Sequence, residues 1–317
     1  MTMATAFRPG DGPGLVRAWC RSLTADPITP ARFRDLVLLD PNFDPAGLRV
    51  ARTPDGDVLG AAYAVRRKHA FTGADLEQEC GWLVFFFVDP AAQGVGIGRS
   101  LVQGCLDWLR AQGRTHVEFS PYTPNYILPG LDRHAYPAAG RLLDGLGFSV
   151  RYQAVAMQRS LVDYTPPESV TRQEAAMAEQ GWRIGSPEAD ELPDLVTLAG
   201  EHFNPDWARA IREAVVGGLD LDRIVIARRP GGELAGWAMH GAYSGALDRF
   251  GPFGVRDDLR GLGLGKVLLN TSMQSMRAAG AQVAWFLWTG ERSPAGHLYL
   301  NNGFQITRRF DIMRKEL

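Results

Sequence analysis

A chain of 317 residues with 45% hydrophobic and 22% charged residues has the make-up of an ordinary globular protein, and its length suits two domains of about 150 residues each. Its formal net charge of −1 excludes a global field that would recruit nucleic acid. No stretch reaches the roughly 20 apolar residues of a membrane span, and Met1 to Gly14 lacks both the cationic and the apolar region of a signal peptide, so a soluble, cytoplasmic protein is expected.

The first half opens with a short predicted strand, Ala4 to Arg8, broken by Pro9-Gly10-Asp11-Gly12-Pro13. A helix carrying Leu15, Val16, Trp19 and Leu23 follows, and a second runs from about Pro30 to Leu39. Leu48 to Ala51 and Val58 to Val65 read as a hairpin around Pro54-Asp55-Gly56-Asp57. Trp82 to Val88 is nearly all apolar, as a central strand buried on both faces would be. After a glycine-rich loop, a helix over about Gly98 to Gln112 places Leu101, Val102, Cys105, Leu106 and Leu109 on one face. A strand with Val117 and Phe119 comes next. The segment from Tyr122 to Tyr136, which includes Asn125, is open to three readings: a substrate-pocket wall, an interdomain contact or a plain surface loop. A helix from about Pro137 ends at Gly147, and Phe148 to Met157 closes the half as a strand. Val162 to Gln180 is poor in apolar residues, contains Pro166-Pro167 and reads as a linker.

The second half repeats the order. It has a strand at Trp182 to Gly185, helices at Pro187 to Ala199 and Trp207 to Val216, and a hairpin from Ile224 to Tyr243. A central strand spans Phe250 to Val255. Then come a glycine loop and helix from Arg260 to Ala279, a strand at Val283 to Trp288, a helix at Pro294 to Asn302 and an end strand at Phe304 to Met313. The expected division is an N-terminal domain over 1–160, a linker over 161–180 and a C-terminal domain over 181–317. Each domain is expected to be α/β (α+β), with helices flanking a mixed, mostly antiparallel sheet. Cys20, Cys80 and Cys105 are widely spaced and form no C-x-x-C pair, so buried reduced thiols and no metal site are expected.

The two glycine loops carry the chemistry. Gln93-Gly94-Val95-Gly96-Ile97-Gly98-Arg99 in the first half matches Arg260-Gly261-Leu262-Gly263-Leu264-Gly265-Lys266 in the second, each glycine 167 positions after its counterpart. Repetition of strand, polar turn, loop and helix marks two copies of one domain. Backbone N–H groups at the start of a helix make an anion site. The dinucleotide fingerprint needs a third glycine where Arg99 and Lys266 stand, and fails. The P-loop fails because Gly265-Lys266 is followed by Val267.

What remains, [Gln/Arg]-x-x-Gly-x-Gly between a strand and a helix, resembles the pyrophosphate-binding loop of the GNAT acyl-CoA N-acyltransferases. The block Ala295-Gly296-His297-Leu298-Tyr299-Leu300-Asn301-Asn302-Gly303-Phe304 is similar to that family's helix-and-turn motif, and Ala139 to Phe148 repeats it 156 positions earlier. The resemblance covers nearly the whole chain and implies two tandem GNAT-like domains that use acetyl-CoA. It implies that the loop residues Gln93 to Arg99 and Arg260 to Lys266 hold the pyrophosphate. It further implies that the preceding strand, at Phe253 and Val255 or at Phe87 and Val88, bonds the pantetheine amides. Tyr299 would protonate the leaving thiolate, since a phenol is protonated at neutral pH. Leu143 stands in that place in the first half and has no proton to give, so that copy reads as degenerate. The family often has Asn where this chain has Arg292, which removes one expected cofactor contact.

For a base that deprotonates the attacking amine, the candidates are Glu201, His202 and His240 in the second half and Glu118 in the first, with a water chain as the alternative. Trp237, Trp285 and Trp288 are candidates to line an acceptor pocket, or to be core. The expectation is a tandem acetyltransferase that moves an acetyl group from acetyl-CoA to a small-molecule amine by direct attack in a ternary complex. It would act as a monomer or homodimer and would bind neither nucleic acid nor membrane. The alternative is a non-catalytic acyl-CoA-binding sensor or scaffold.

Overall fold

The computed structural model describes residues 4–71, 73, 75–124 and 126–317. By its internal contacts the chain forms two compact units, Met1–Ala154 with Arg309–Leu317, and Val155–Arg308.

In the first unit the strands are β1 (Ala4–Ala6), β2 (Leu48–Arg52), β3 (Val58–Val65), β4 (Cys80–Val88) and β5 (His116–Phe119). Neighbours pair antiparallel except β4 and β5, which run parallel. Helix α1 (Gly12–Ser22) covers one face and α3 (Ile97–Ala111) the other, with short α2 (Pro30–Phe33) between them in sequence. Thr29 starts α2 by accepting from Arg32 N at 3.1 Å, ahead of a proline whose missing N–H has no partner to lose. The predicted helix over Pro30 to Leu39 continues past α2 as a wider, π-type turn over Arg34–Leu38. Two-residue periodicity sorts β3 between the faces: Ala61, Tyr63 and Val65 join the core under α1, while Ala62 and Ala64 join the core under α3. Helix α4 (Pro137–Asp144) and strand β6 (Ser149–Ser160) follow.

The segment after β5 is not a plain surface loop. Tyr122, Ile127, Leu128 and Leu131 are buried in the core of the first unit, and Leu131 bridges to Asp311. Asn125 lies outside the described residues.

The second unit contains α5 (Glu168–Glu179), β7 (Arg183–Gly185), α6 (Leu192–His202), α7 (Pro205–Val216), β8 (Ile224–Arg228), β9 (Leu234–His240) and β10 (Phe250–Val255). It continues with α8 (Leu264–Ala278), β11 (Val283–Thr289), α9 (Pro294–Asn301) and β12 (Gln305–Glu316). Strands β10, β9, β8 and β7 form one antiparallel sheet in that order. Strand β11 pairs instead with the second half of β6, Val283 opposite Ser160 and Phe286 opposite Met157.

Two expectations about organisation are corrected. Residues 161–180 are not a bare linker. Helix α5 occupies most of them, and its Val170 and Met177, two turns apart, are buried in one cluster with Leu264, Val267 and Leu268 of α8. Nor does each half keep its own last strand. Strands β6 and β12 are each 12 residues long, about 40 Å when extended and twice a typical strand, and each gives one part to each unit. Met313 to Glu316 of β12 complete the first unit by pairing with β5. Among the described residues no helix is long and apolar enough to cross a membrane.

Candidate active site

Each central strand has a backbone edge left open. Strand β4 pairs with β5 only from Cys80 to Leu83, so Val84 to Val88 run on without a parallel neighbour. In the second unit β10 pairs with β9 on one side, and among the described residues it meets β11 on the other at a single bridge, Arg249 with Trp285, where Trp285 N donates to Asp248 O at 3.0 Å. Beyond that bridge the edge of Phe250–Val255 presents peptide groups to whatever enters the wedge. An irregularity between Phe250 and Phe253 bends β10 there. Phe253 and Val255 lie on this strand, as Phe87 and Val88 lie on β4, where the cofactor's amides are expected.

The glycine loops follow at the carboxyl ends of these strands. Gly96 is the N-cap of α3 at φ 89°, and Gly263 the N-cap of α8 at φ 79°. Gly94 and Gly261 have φ of 82° and 86°. These left-handed conformations would cost about 1–2 kcal/mol for a residue with a Cβ. A Cβ on Gly94, Gly96 or Gly261 would meet no atom within 4 Å, so the cradle is open at those positions. Gly98 and Gly265 lie inside the helices: a Cβ would stand 3.3 Å from Leu142 of the following helix at Gly98 and at ordinary contact distance, 3.4 Å, from the Phe253 ring at Gly265. The first N–H groups of α3 and α8 have no intrahelical acceptor and carry the positive end of the helix dipole. Open space, outward N–H groups and a free strand edge suit a chain-like ligand with a diphosphate.

The polar and charged side chains around the loops are already engaged. Gln93 Nε2 donates to Val88 O at 2.9 Å, and Arg99 Nη1 reaches Gly145 O at 3.4 Å. Arg260 pairs with Asp257 at 2.5 Å, and Lys266 Nζ donates to Ser169 Oγ at 3.0 Å. Val95 and Leu262 stand exposed at the loop tips, as does Ile97 in part.

Tyr299 on α9 is 6% exposed. Its ring packs on Phe286 of β11 at 4.5 Å between centroids, on Phe304 at 5.5 Å, and on Phe250 and Phe253 of β10 at 6.0 and 6.1 Å. It therefore bridges the two strands that flank the wedge. Burial alone pushes its phenol well above the usual range, which keeps the proton in place. In the first unit Leu143 is fully buried with Phe86, Phe119 and Phe148.

The candidate bases separate by environment. His240 is fully buried; Nδ1 lies 2.9 Å from Leu247 O and Nε2 3.1 Å from Ser275 Oγ, and burial lowers its pKa. With both ring nitrogens held, it is a core group. Glu118 is bound by Arg314 at 2.5 Å. Glu201 and His202 stand exposed at the end of α6. Trp237 is fully buried against Phe203 and Trp207 and belongs to the core, whereas Trp285 lies under the Arg249 guanidinium at 5.6 Å and Trp288 is exposed. Arg292 is exposed ahead of α9. The three cysteines are free thiols, and burial pushes Cys105 up to about 12.

Sequence reasoning missed one part of this site. Ser169 and Gln173 of α5 touch the second loop, but nothing in a polar segment some 90 positions upstream points there.

The chain belongs to the acetyltransferase (GNAT) family, whose model matches residues 16–126 and 192–304, one stretch in each half. It is a tandem GNAT protein and an acyltransferase, of a family that transfers acetyl groups from acetyl-CoA. Its fold is similar to the GCN5-related glucosamine N-acetyltransferase region of a fungal multi-domain GH3 beta-N-acetylglucosaminidase (TM-score 0.80, 18% identity), covering 99% of this chain and 38% of that one. It is also similar to a GCN5-related N-acetyltransferase from Sphaerobacter thermophilus (0.71, 19%), covering 99% and 95% of the two chains. A tandem GNAT protein from the clavulanic acid biosynthesis pathway (0.65, 17%) is covered to 98% by the whole of this chain. No curated protein matches.

Proposed function

We propose that the second half acetylates the amine of a small molecule by direct transfer in a ternary complex, with Tyr299 as the general acid. The observation that carries this reading is the place of Tyr299, packed against Phe250 and Phe253 of β10 and Phe286 of β11 beside the open edge of β10. Acetyl-CoA supplies an acetyl thioester. The N–H groups from Leu262 to Gly265 hold its pyrophosphate with the Lys266 side chain beside them, the Lys266 N–H itself donating to Gly263 O at 3.0 Å, and the free edge at Phe253 and Val255 holds its pantetheine amides. The amine nitrogen bonds to the acetyl carbon as the carbon–sulfur bond breaks. The nitrogen gives up its proton, and the sulfur takes one from the Tyr299 hydroxyl, which is replenished from solvent. Removal of the amine's proton falls to Glu201, His202 or water at the open end of α6, since His240 is enclosed.

The first half keeps an open loop but has Leu143 in place of the acid. On this reading it binds without turning over and supports the fold. The protein works in the cytoplasm, as a monomer or homodimer, with no nucleic acid or membrane partner.

The test is incubation with acetyl-CoA and a mixed panel of primary amines, with products read by mass spectrometry. An amine gaining one acetyl group, with initial-rate lines that intersect, supports the reading. Parallel lines would remove direct transfer. Acetyl-CoA binding with no acetylated product from any amine class would favour a sensor or scaffold instead.

A further inference from the structure

Helix α5 contacts the second glycine loop at two points. Lys266 Nζ donates to Ser169 Oγ at 3.0 Å, and Gln173 Nε2 donates to Leu262 O at 3.0 Å. The Gln173 side chain also lies over Gly263, where a Cβ would come within 3.3 Å of it. The helix is anchored for this task by buried Val170 and Met177 on α8's side. The first loop differs: a Cβ on Gly96 would meet nothing within 4 Å.

A peptide unit is planar and trans, so its C=O and N–H point in opposite directions. A donor that holds the Leu262 carbonyl therefore turns the Gly263 N–H the other way. Without it, the Leu262–Gly263 peptide sits between an exposed residue and a glycine and is free to rotate. Binding would then have to select one orientation.

We propose that Gln173 is a positioning residue for the cofactor's pyrophosphate: it fixes the Leu262–Gly263 peptide so that the Gly263 N–H faces the phosphate oxygens. This rests on the reading that the second loop holds acetyl-CoA. It assigns part of the residue 161–180 segment to the site and gives the two loops unequal order.

The experiment uses Gln173→Met in the full chain, which keeps the side-chain length but removes the donor. Gly96→Val is present in both proteins, so that only the second loop is read. Acetyl-CoA affinity is measured by calorimetry. That of S-acetylpantetheine, which lacks the diphosphate, is measured by its displacement. Losing one oriented hydrogen bond should weaken acetyl-CoA about three- to tenfold and leave S-acetylpantetheine unchanged. Unchanged acetyl-CoA affinity, or an equal loss for both ligands, would overturn the role of Gln173. If the parent with Gln173 intact binds no acetyl-CoA at all, the reading of the second loop fails, and this inference with it.

Discussion

Replacing Tyr299 with Phe removes one hydroxyl and keeps the ring that contacts four phenylalanines at 4.5 to 6.1 Å. Stability should therefore stay within about 1 kcal/mol of the parent, since neither a cavity nor a buried charge is created. Catalysis should respond quite differently. Loss of a general acid lowers turnover by about 10²-fold at the low end, about 2.7 kcal/mol of barrier. The phenol is raised by burial, so it stays protonated through neutral pH and the deficit should be the same from pH 6 to 9, roughly. The assay is thiol release at saturating acetyl-CoA with the amine found in the panel, alongside calorimetric affinity and a melting curve. A fall in kcat with unchanged cofactor affinity and unchanged melting is expected. Equal kcat in mutant and parent would refute the acid role, and a large loss of melting temperature would mean the hydroxyl is structural.

Other consequences follow from the same packing. Gly265→Ala places its Cβ at ordinary contact distances, 3.4 to 3.6 Å from Phe253, Leu298 and Val255, in a helix, so it should raise the melting temperature by the equivalent of about 0.5 kcal/mol while acetyl-CoA binding is kept. A lower melting temperature would show that helix and strand cannot give at all. His240 has a folded pKa below its ordinary value, so the unfolded chain binds the extra proton first. Its contribution is present above about pH 6.5 and is lost as pH falls below it, with a slope of at most about 1.4 kcal/mol per unit. His240→Asn should flatten the stability profile just below about pH 6.5; an unchanged slope would show that His240 does not titrate there.

Much of this arrangement was readable because local rules set it. Glycines at left-handed positions, a continuous apolar strand before them and a 3.6-period stripe after them leave one local structure, and it occurs twice. Tyr299 stands in its motif in the sequence, whereas its enclosure by Phe250, Phe253, Phe286 and Phe304 is a contact between separate elements that emerges only in the fold. The rest depended on contacts between distant residues. Helix α5 has only two buried anchors, Val170 and Met177, too few to stand out from a polar stretch. The parts of β6 and β12 that serve different units read as ordinary strand, because alternation shows that a residue is buried and not which sheet buries it. His240 read as a candidate base because its partners, Leu247 and Ser275, come from the hairpin loop and from α8.

The most direct test of a working second half and an idle first half is calorimetric titration with acetyl-CoA of the parent, Gly263→Val and Gly96→Val. The two variants carry comparable backbone strain, with φ of 79° and 89°, but the side chain added at Gly263 also presses on Gln173, 3.3 Å from its Cβ, so a melting curve of each variant accompanies the titration. Loss of the binding event that supports turnover in Gly263→Val alone, with activity kept in Gly96→Val, is the expected result. Activity lost in Gly96→Val and kept in Gly263→Val would move the chemistry to the first half, and no binding by the parent would contradict both loops as acetyl-CoA sites.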